Sequence, residues 1–112
     1  MQSKKIYFGI PMLILLTTIL FFSCSKESTQ GPTDVYMEGT SFSPSTLTIS
    51  AGTTVTWTNK SSFIHTVSSY TGLFDSGDMG KNDTFSYTFA SPGTYEYHCI
   101  HHTGMTGSII VQ

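Results

Sequence analysis

Apolar and polar residues alternate along much of the chain beyond residue 33. The alternation is clearest in four segments, at residues 54–58, 84–89, 94–99 and 108–111. In the first of them Val55 and Trp57 lie on one face of the chain and three threonines lie on the other. A repeat of two residues is the period of a β-strand, and this part of the sequence lacks the 3.6-residue period of a helix. The pattern therefore predicts strands.

Turn-forming dipeptides separate the predicted strands, at Ser43-Pro44, Ala51-Gly52, Ser76-Gly77 and Pro92-Gly93. Closely spaced strands with hydroxyl-rich outer faces are typical of antiparallel sandwiches and barrels. The chain has 112 residues, which is enough for one domain, and its 8 Phe, 6 Tyr and 1 Trp can fill a small core. We therefore expect one all-β domain, a β-sandwich or barrel.

The N-terminus has a different pattern. Lys4 and Lys5 precede an apolar run at residues 6–22, which Ser23 and Cys24 follow before a polar segment begins. A charged start, an apolar stretch and a small residue before the cleavage point are features of a signal peptide. We expect residues 1–23 to be that signal peptide and the chain to be exported. The alternative is an uncleaved helical anchor, for which the apolar run is close to the lower limit of about 17 residues.

The cysteine at this boundary sharpens the prediction. With Ser23 before Cys24, the segment resembles the leader of bacterial lipoproteins, in which the Cys becomes the lipidated first residue after cleavage. The resemblance implies that Cys24 is lipidated and that the protein is held at a membrane of the cell envelope. Residues 24–33 are rich in Ser, Thr, Gly and charged side chains, a composition typical of flexible linkers. We expect a tether there and the folded domain at residues 34–112.

Charge limits the class of partner. The chain has 5 basic residues, all lysines, and 7 acidic residues. Removal of residues 1–23 leaves three lysines, so the net charge of the remainder is 3 − 7 = −4. Nucleic-acid binding requires a basic face, and that class is excluded. The acidic residues are scattered and form no spaced pair suited to acid–base catalysis.

Side chains that bind metals are concentrated near the C-terminus. A short segment contains three His, one Cys and one Met, namely His98, Cys99, His101, His102 and Met105. Another histidine, His65, follows a polar loop. A thiolate and two imidazoles with a weak thioether suit a single copper ion that changes oxidation state, because soft sulfur favours Cu(I) and imidazole suits Cu(II). The segment can supply the Cys, one His and the Met, so the second His must come from elsewhere.

Strand alternation separates some of these residues. Cys99 shares a face of its strand with two tyrosines, and His98 lies on the opposite face. If the tyrosines face the core, Cys99 points inward, and we expect His98 to face solvent without binding metal. The same reasoning does not distinguish His101 from His102.

The ordered motifs resemble the cupredoxins, the small blue-copper proteins, and their ligand loop is amicyanin-like. The loop pattern is Cys99-x2-His102-x2-Met105, in which the Met follows the His more closely than in plastocyanin-type loops. The likeness covers roughly residues 35–112 and includes Phe42-x-Pro44, Leu47-x-Ile49, Val55-x-Trp57-x-Asn59, His65-Thr66-Val67, Phe74-Asp75-Ser76-Gly77 and Gly107-x-Ile109-x-Val111.

This resemblance implies a Greek-key β-sandwich of the cupredoxin type that holds one copper ion. It implies His65, Cys99 and His102 as the strong ligands and Met105 as the axial ligand. It also implies that Asn59 supports the site through a hydrogen bond to the Cys-bearing segment. The family often has proline beside the second histidine, and this loop has none, so the family's reduction potential cannot be transferred to it.

The implied function is one-electron transfer between redox partner proteins, with transient encounters and a monomeric carrier. An enzyme is not expected, because multicopper oxidases place His on both sides of the Cys, and here Ile100 follows Cys99. The alternative function is copper trafficking or storage in the cell envelope. Such sites are often rich in Met or Cys, whereas this segment offers one Cys and one Met.

Overall fold

The computed structural model describes residues 31–112, which form eight strands and no helix. The strands are β1 (Asp34–Glu38), β2 (Ser41–Ser43), β3 (Thr46–Ile49), β4 (Thr53–Asn59), β5 (Ser68–Ser69), β6 (Thr84–Phe89), β7 (Gly93–His98) and β8 (Thr106–Val111). The all-β prediction is confirmed. The predicted signal peptide at 1–23, Cys24 and the tether up to residue 30 lie outside the described residues. Within residues 31–112, no helix has the length and apolar character needed to cross a membrane.

The strands form two four-stranded sheets. The first sheet has the order β2-β1-β4-β6, and the second has the order β3-β8-β7-β5. From β2 to β7, each connection carries the chain from one sheet to the other, as is typical of Greek-key sandwiches. One hydrophobic cluster contains residues of both sheets, so the sheets enclose a common core.

Two strand pairs run parallel, which the sequence did not predict. β1 pairs with β4 in the register Val35↔Trp57, and β3 pairs with β8 in the register Leu47↔Ile109. The expectation of a purely antiparallel sandwich is therefore wrong for these pairs. Alternation of apolar residues fixes which face is buried but is the same for both strand directions. The direction follows instead from the connections that leave one sheet and return to it.

The core is built around a single tryptophan. Trp57 on β4 is fully buried, as is Val55 on the same face, and this confirms the predicted inward face of that strand. The ring of Trp57 lies 5.4–6.3 Å, between centroids, from four other aromatic rings, those of Phe74, Phe85, Phe89 and Tyr97. Aromatic packing of this kind contributes beyond the burial of apolar area alone. It fixes the sheets against each other close to the end of β7.

The end of β7 brings the cysteine into the core. Tyr97 is fully buried, and two residues later Cys99 is 3% exposed, as the period of two predicts. The loop at residues 99–105 then leads into β8. His65 lies between β4 and β5 and forms an isolated antiparallel bridge with Met79. This bridge fixes the backbone of the histidine.

Candidate metal centre

The side chains of His65, Cys99 and His102 converge. One donor atom from each residue lies within 4.8 Å of the others. The Cys99 sulfur is 3.7 Å from Nδ1 of His65 and 3.5 Å from Nδ1 of His102. The fold thus unites three donors from two separate segments, and it places His102, not His101, beside the cysteine.

The spacing of these donors fits a single bound metal ion. Bonds of about 2.0 Å to nitrogen and 2.3 Å to sulfur, with angles between tetrahedral and trigonal, place the nitrogen and sulfur about 3.5 to 3.7 Å apart. The observed distances of 3.7 and 3.5 Å agree with this requirement. One thiolate with two imidazoles is also a donor set that suits copper. The residues present therefore fit the metal that the sequence pattern implies.

His65 is held in one orientation by its other ring nitrogen. Nε2 lies 2.8 Å from the carbonyl oxygen of Gly39 and 2.8 Å from the hydroxyl of Ser61. A carbonyl oxygen can only accept, so Nε2 carries the ring proton and Nδ1 keeps its lone pair for a metal. Burial lowers the pKa of His65, and this effect exceeds the opposing effect of the Gly39 hydrogen bond. The fold thus favours the neutral imidazole, which is the form that binds metals.

Cys99 is bonded to the segment that carries His65. The backbone N–H of Thr66 donates to the Cys99 sulfur at 3.3 Å. The Thr66 hydroxyl accepts from the backbone N–H of Ile100 at 3.0 Å. The two bonds hold the Cys99 side chain and the start of the loop against the segment that carries His65. Sequence reasoning missed both Thr66 and Ser61, and the signal available was their position beside or shortly before His65.

Met105 closes the loop. Its N–H donates to the carbonyl of His102 at 3.2 Å, and its own carbonyl accepts from the N–H of Cys99 at 3.0 Å. The Met105 side chain is buried, and with Cys99 and His102 it lines a surface depression of about 250 Å³. Its role as an axial ligand remains a prediction.

Asn59 is buried near His65, and its hydrogen-bond partners differ from the one that the resemblance implied. Its side-chain amide donates to the carbonyl oxygens of Phe63 at 2.7 Å and Met79 at 2.9 Å. Its oxygen accepts from the N–H and hydroxyl of Ser61 at 2.9 and 3.0 Å. The expected bond to the Cys-bearing segment is absent among the described residues, and Thr66 makes that connection instead. Asn59 thus orders the segment that positions His65.

The two remaining histidines of the C-terminal segment lie away from the donors. The ring of His98 stacks on Tyr70 with centroids 4.2 Å apart and is half-buried, so the expected solvent-facing position is only partly correct. His101 is exposed, and its Nε2 lies 2.6 Å from Oδ1 of Asp78. The pairing of Asp78 with His101 is a contact that the sequence did not reveal.

Exposed apolar side chains occur just before His65 and in the ligand loop. The ring of Phe63 lies 5.9 Å from the ring of His102 and is 52% exposed. Ile64, its chain neighbour, is 54% exposed, and Ile100 in the ligand loop is 60% exposed. A group of exposed apolar residues is typical of a surface that contacts another molecule.

Comparison with known proteins decides the family. The sequence profile of the cupredoxin-like domain matches residues 11–111. The chain belongs to the cupredoxin-like domain family. It is 34% identical over 92 residues to amicyanin-alpha of Methylorubrum extorquens, a match that covers 78% of this chain and 77% of that protein.

Solved cupredoxin structures show the same fold. The Cu(I) form of an amicyanin variant superposes with a TM-score of 0.67 at 31% identity, over 70% of this chain and 80% of that one. A copper-containing nitrite reductase from Thermus scotoductus gives a TM-score of 0.67 at 32% identity, but this cupredoxin covers only 22% of that chain. The likeness to that enzyme is therefore confined to a part of it.

Proposed function

We propose that this cupredoxin is a one-electron carrier that binds a single copper ion through His65, Cys99, His102 and Met105. The observation that carries the proposal is the convergence of the Cys99 sulfur and the two Nδ1 atoms at distances that fit one metal ion. When bound, copper supplies a one-electron couple between Cu(I) and Cu(II). The likeness to amicyanins supports electron transfer as the use of this site.

The protein's own residues hold the donors still. Gly39 and Ser61 fix the His65 ring, and Thr66 directs an N–H toward the Cys99 sulfur. Donors held by hydrogen bonds from the framework need move little when the charge at the site changes. A fixed geometry suited to both oxidation states favours rapid electron exchange.

Redox partners approach at the exposed apolar residues Phe63, Ile64 and Ile100. The ring of Phe63 lies 5.9 Å from the ring of His102, the donor residue that is only half-buried, so this histidine is the route between a partner and the site in this proposal. A small apolar contact area suits brief encounters between redox proteins. The carrier acts as a monomer in this proposal.

We further propose that residues 1–23 direct export and are then removed. Cys24 becomes the lipidated first residue. Residues 24–33 then tether the domain at 34–112 to a membrane of the cell envelope. The charged start, apolar run and Cys at the polar boundary support this arrangement. Labelling of the expressed full chain with a radioactive fatty acid tests it. Label incorporated by the wild type and lost in Cys24→Ala is expected, and equal labelling of the two contradicts it.

Copper trafficking or storage is the alternative function. Delivery requires that a metal pass readily to an acceptor, whereas His65 is fully buried here and Cys99 and Met105 are 3% and 2% exposed. Buried donors favour retention of the metal. Rapid electron self-exchange with slow copper loss supports the carrier, and fast transfer of Cu(I) to an acceptor protein would contradict it.

The direct test uses a protein comprising residues 31–112, which contains both sheets and the whole described core. Addition of one equivalent of Cu(II) is expected to give an intense blue colour from thiolate-to-copper charge transfer. Cys99→Ala abolishes the colour, and His101→Ala, the matched control in the same loop, keeps it. A colourless wild type that binds Cu(II) weakly contradicts the proposed function.

A further inference from the structure

The ligand loop is anchored at its ends and exposed in its middle. Cys99 and Met105 are buried and joined by a backbone hydrogen bond of 3.0 Å. His101, Thr103 and Gly104 are exposed, and Gly104 adopts a positive φ of 82°. The loop has no proline, which would fix φ and restrict its motion. Without that restraint, hydrogen bonds within the loop and contacts with the rest of the domain position His102.

One hydrogen bond joins the middle of the loop to another element within residues 31–112. It runs from Nε2 of His101 to Oδ1 of Asp78 and measures 2.6 Å. Nε2 can donate in both the neutral and the charged ring, so the contact does not depend on one protonation state. A short bond between an imidazole and a carboxylate is among the stronger polar contacts that a surface offers.

Asp78 precedes a residue that is hydrogen-bonded to two other segments. The next residue, Met79, exchanges two backbone hydrogen bonds with His65, at 2.8 and 3.1 Å. The carbonyl of Met79 also accepts from the Asn59 amide at 2.9 Å. The segment that pairs with His101 is therefore the one that fixes the backbone of His65. A continuous path of contacts runs from His102 through His101, Asp78 and Met79 to His65.

We propose that the His101–Asp78 pair is a brace that holds the ligand loop, and with it His102, against the segment that carries His65. His101 and Asp78 are positioning residues in this role, since neither supplies a donor atom to the site. The pair replaces the restraint that a proline would give to this loop. The effect of this brace on copper binding rests on the proposed function. The contact between His101 and Asp78 itself needs no metal.

The first test measures the metal-free full chain, purified in detergent. Asp78→Ala and His101→Ala are each expected to speed amide hydrogen exchange of Met105 by up to about fivefold, the range that a solvent-exposed pair of polar side chains supports. The double variant should exchange no faster than either single variant, because both substitutions remove the same contact. Glu96→Ala is the control, since it removes an exposed carboxylate that lies outside this contact. The equilibrium constant for global unfolding should change by no more than about the same fivefold factor in the Asp78, His101 and double variants, and should stay unchanged in Glu96→Ala.

The second test measures loss of Cu(II) to a competing chelator, followed by the charge-transfer absorbance. Both single variants should lose copper up to about fivefold faster than wild type, and Glu96→Ala should not. Variants that match Glu96→Ala in both measurements, or effects on exchange that add in the double variant, overturn the brace. If the chain binds no copper, the proposed function fails, but the exchange measurement still decides whether the brace exists.

Discussion

The backbone N–H of Thr66 donates to the sulfur of Cys99 over 3.3 Å, although 33 residues separate them in the chain. The side-chain oxygen of Thr66 accepts a second bond from the N–H of Ile100, at 3.0 Å. One residue thus ties the His65 segment to the ligand loop with both its backbone and its side chain. The two bonds can be separated by mutation, because only the second needs the hydroxyl.

Thr66→Val is expected to lower the free energy of unfolding by about 1–3 kcal/mol, since it leaves the N–H of Ile100 without its acceptor. The blue colour of the copper-loaded protein should persist, because the N–H bond to sulfur is unaffected. Urea unfolding monitored by fluorescence measures the change. Thr88→Val is the control, since its hydroxyl is exposed and pairs with Thr54, and it should change stability by less than about 0.5 kcal/mol. Equal effects of the two substitutions contradict this role for Thr66.

Met105→Leu is expected to keep the blue colour and raise the reduction potential. Leucine preserves the buried apolar volume but supplies no thioether, so the site has one donor fewer. Although a soft donor suits Cu(I), the loss of any donor costs the more highly charged Cu(II) more than Cu(I). A tenfold change in the relative affinity for the two oxidation states corresponds to about 59 mV for one electron. Redox titration followed at the charge-transfer band measures the shift. An unchanged potential would show that the Met105 sulfur does not act as a ligand.

Gly107→Ala is expected to destabilise the fold by about 1–3 kcal/mol through overpacking. A Cβ at this position would overlap the Cζ and hydroxyl oxygen of Tyr97 and lie 2.8 Å from its Cε2. Tyr97 is fully buried and cannot move away without disturbing the core. Gly80→Ala is the matched control, since its Cβ would meet only Asp83 at an ordinary 3.6 Å. Thermal unfolding of the two variants compares them, and equal midpoints would contradict the close packing of Tyr97 on β8.

Stability is expected to fall as the pH rises from 10 to 12. Burial raises the pKa of Tyr97 to about 12, above its ordinary value of 10.0. In that interval the unfolded chain releases the phenolic proton while the folded chain retains it, so deprotonation favours unfolding. A difference of about two units between the pKa values of Tyr97 in the folded and unfolded chains corresponds to about 2–3 kcal/mol in the free energy of unfolding. Urea unfolding at several pH values measures the loss, and Tyr97→Phe should show a shallower decline than the wild type. Identical slopes would contradict this origin.

Much of the fold follows from alternation in the sequence. The inward face of β4 and the buried position of Cys99 are where a period of two places them. Strand direction was not predictable in this way, because β1 and β4 would show the same alternation in either direction. The parallel pairing of these strands depends on how the chain crosses between sheets.

The candidate donors were easier to pick out in the sequence than the contacts around them. Metal ligands are a narrow set of residue types, so Cys99 and the nearby histidines stand out in the sequence. Hydroxyl groups and backbone carbonyls are common in any sequence, and no short motif identifies Ser61 or Gly39 as the partners of His65. Asn59 was assigned a bond across the site, but its amide is fully used by Phe63, Met79 and Ser61 within the segment around His65.

The hydrogen bond that joins Cys99 to Met105 makes the ligand loop a separable unit. Its two ends are joined to each other, and Thr66 contacts the first two residues of the loop. The His101–Asp78 pair is a further hydrogen bond from the loop to the rest of residues 31–112. A loop of different length could therefore be grafted between β7 and β8 while both sheets and the setting of His65 stay as they are. The two sheets would stay unchanged, and replacing this one loop would change the properties of the metal site.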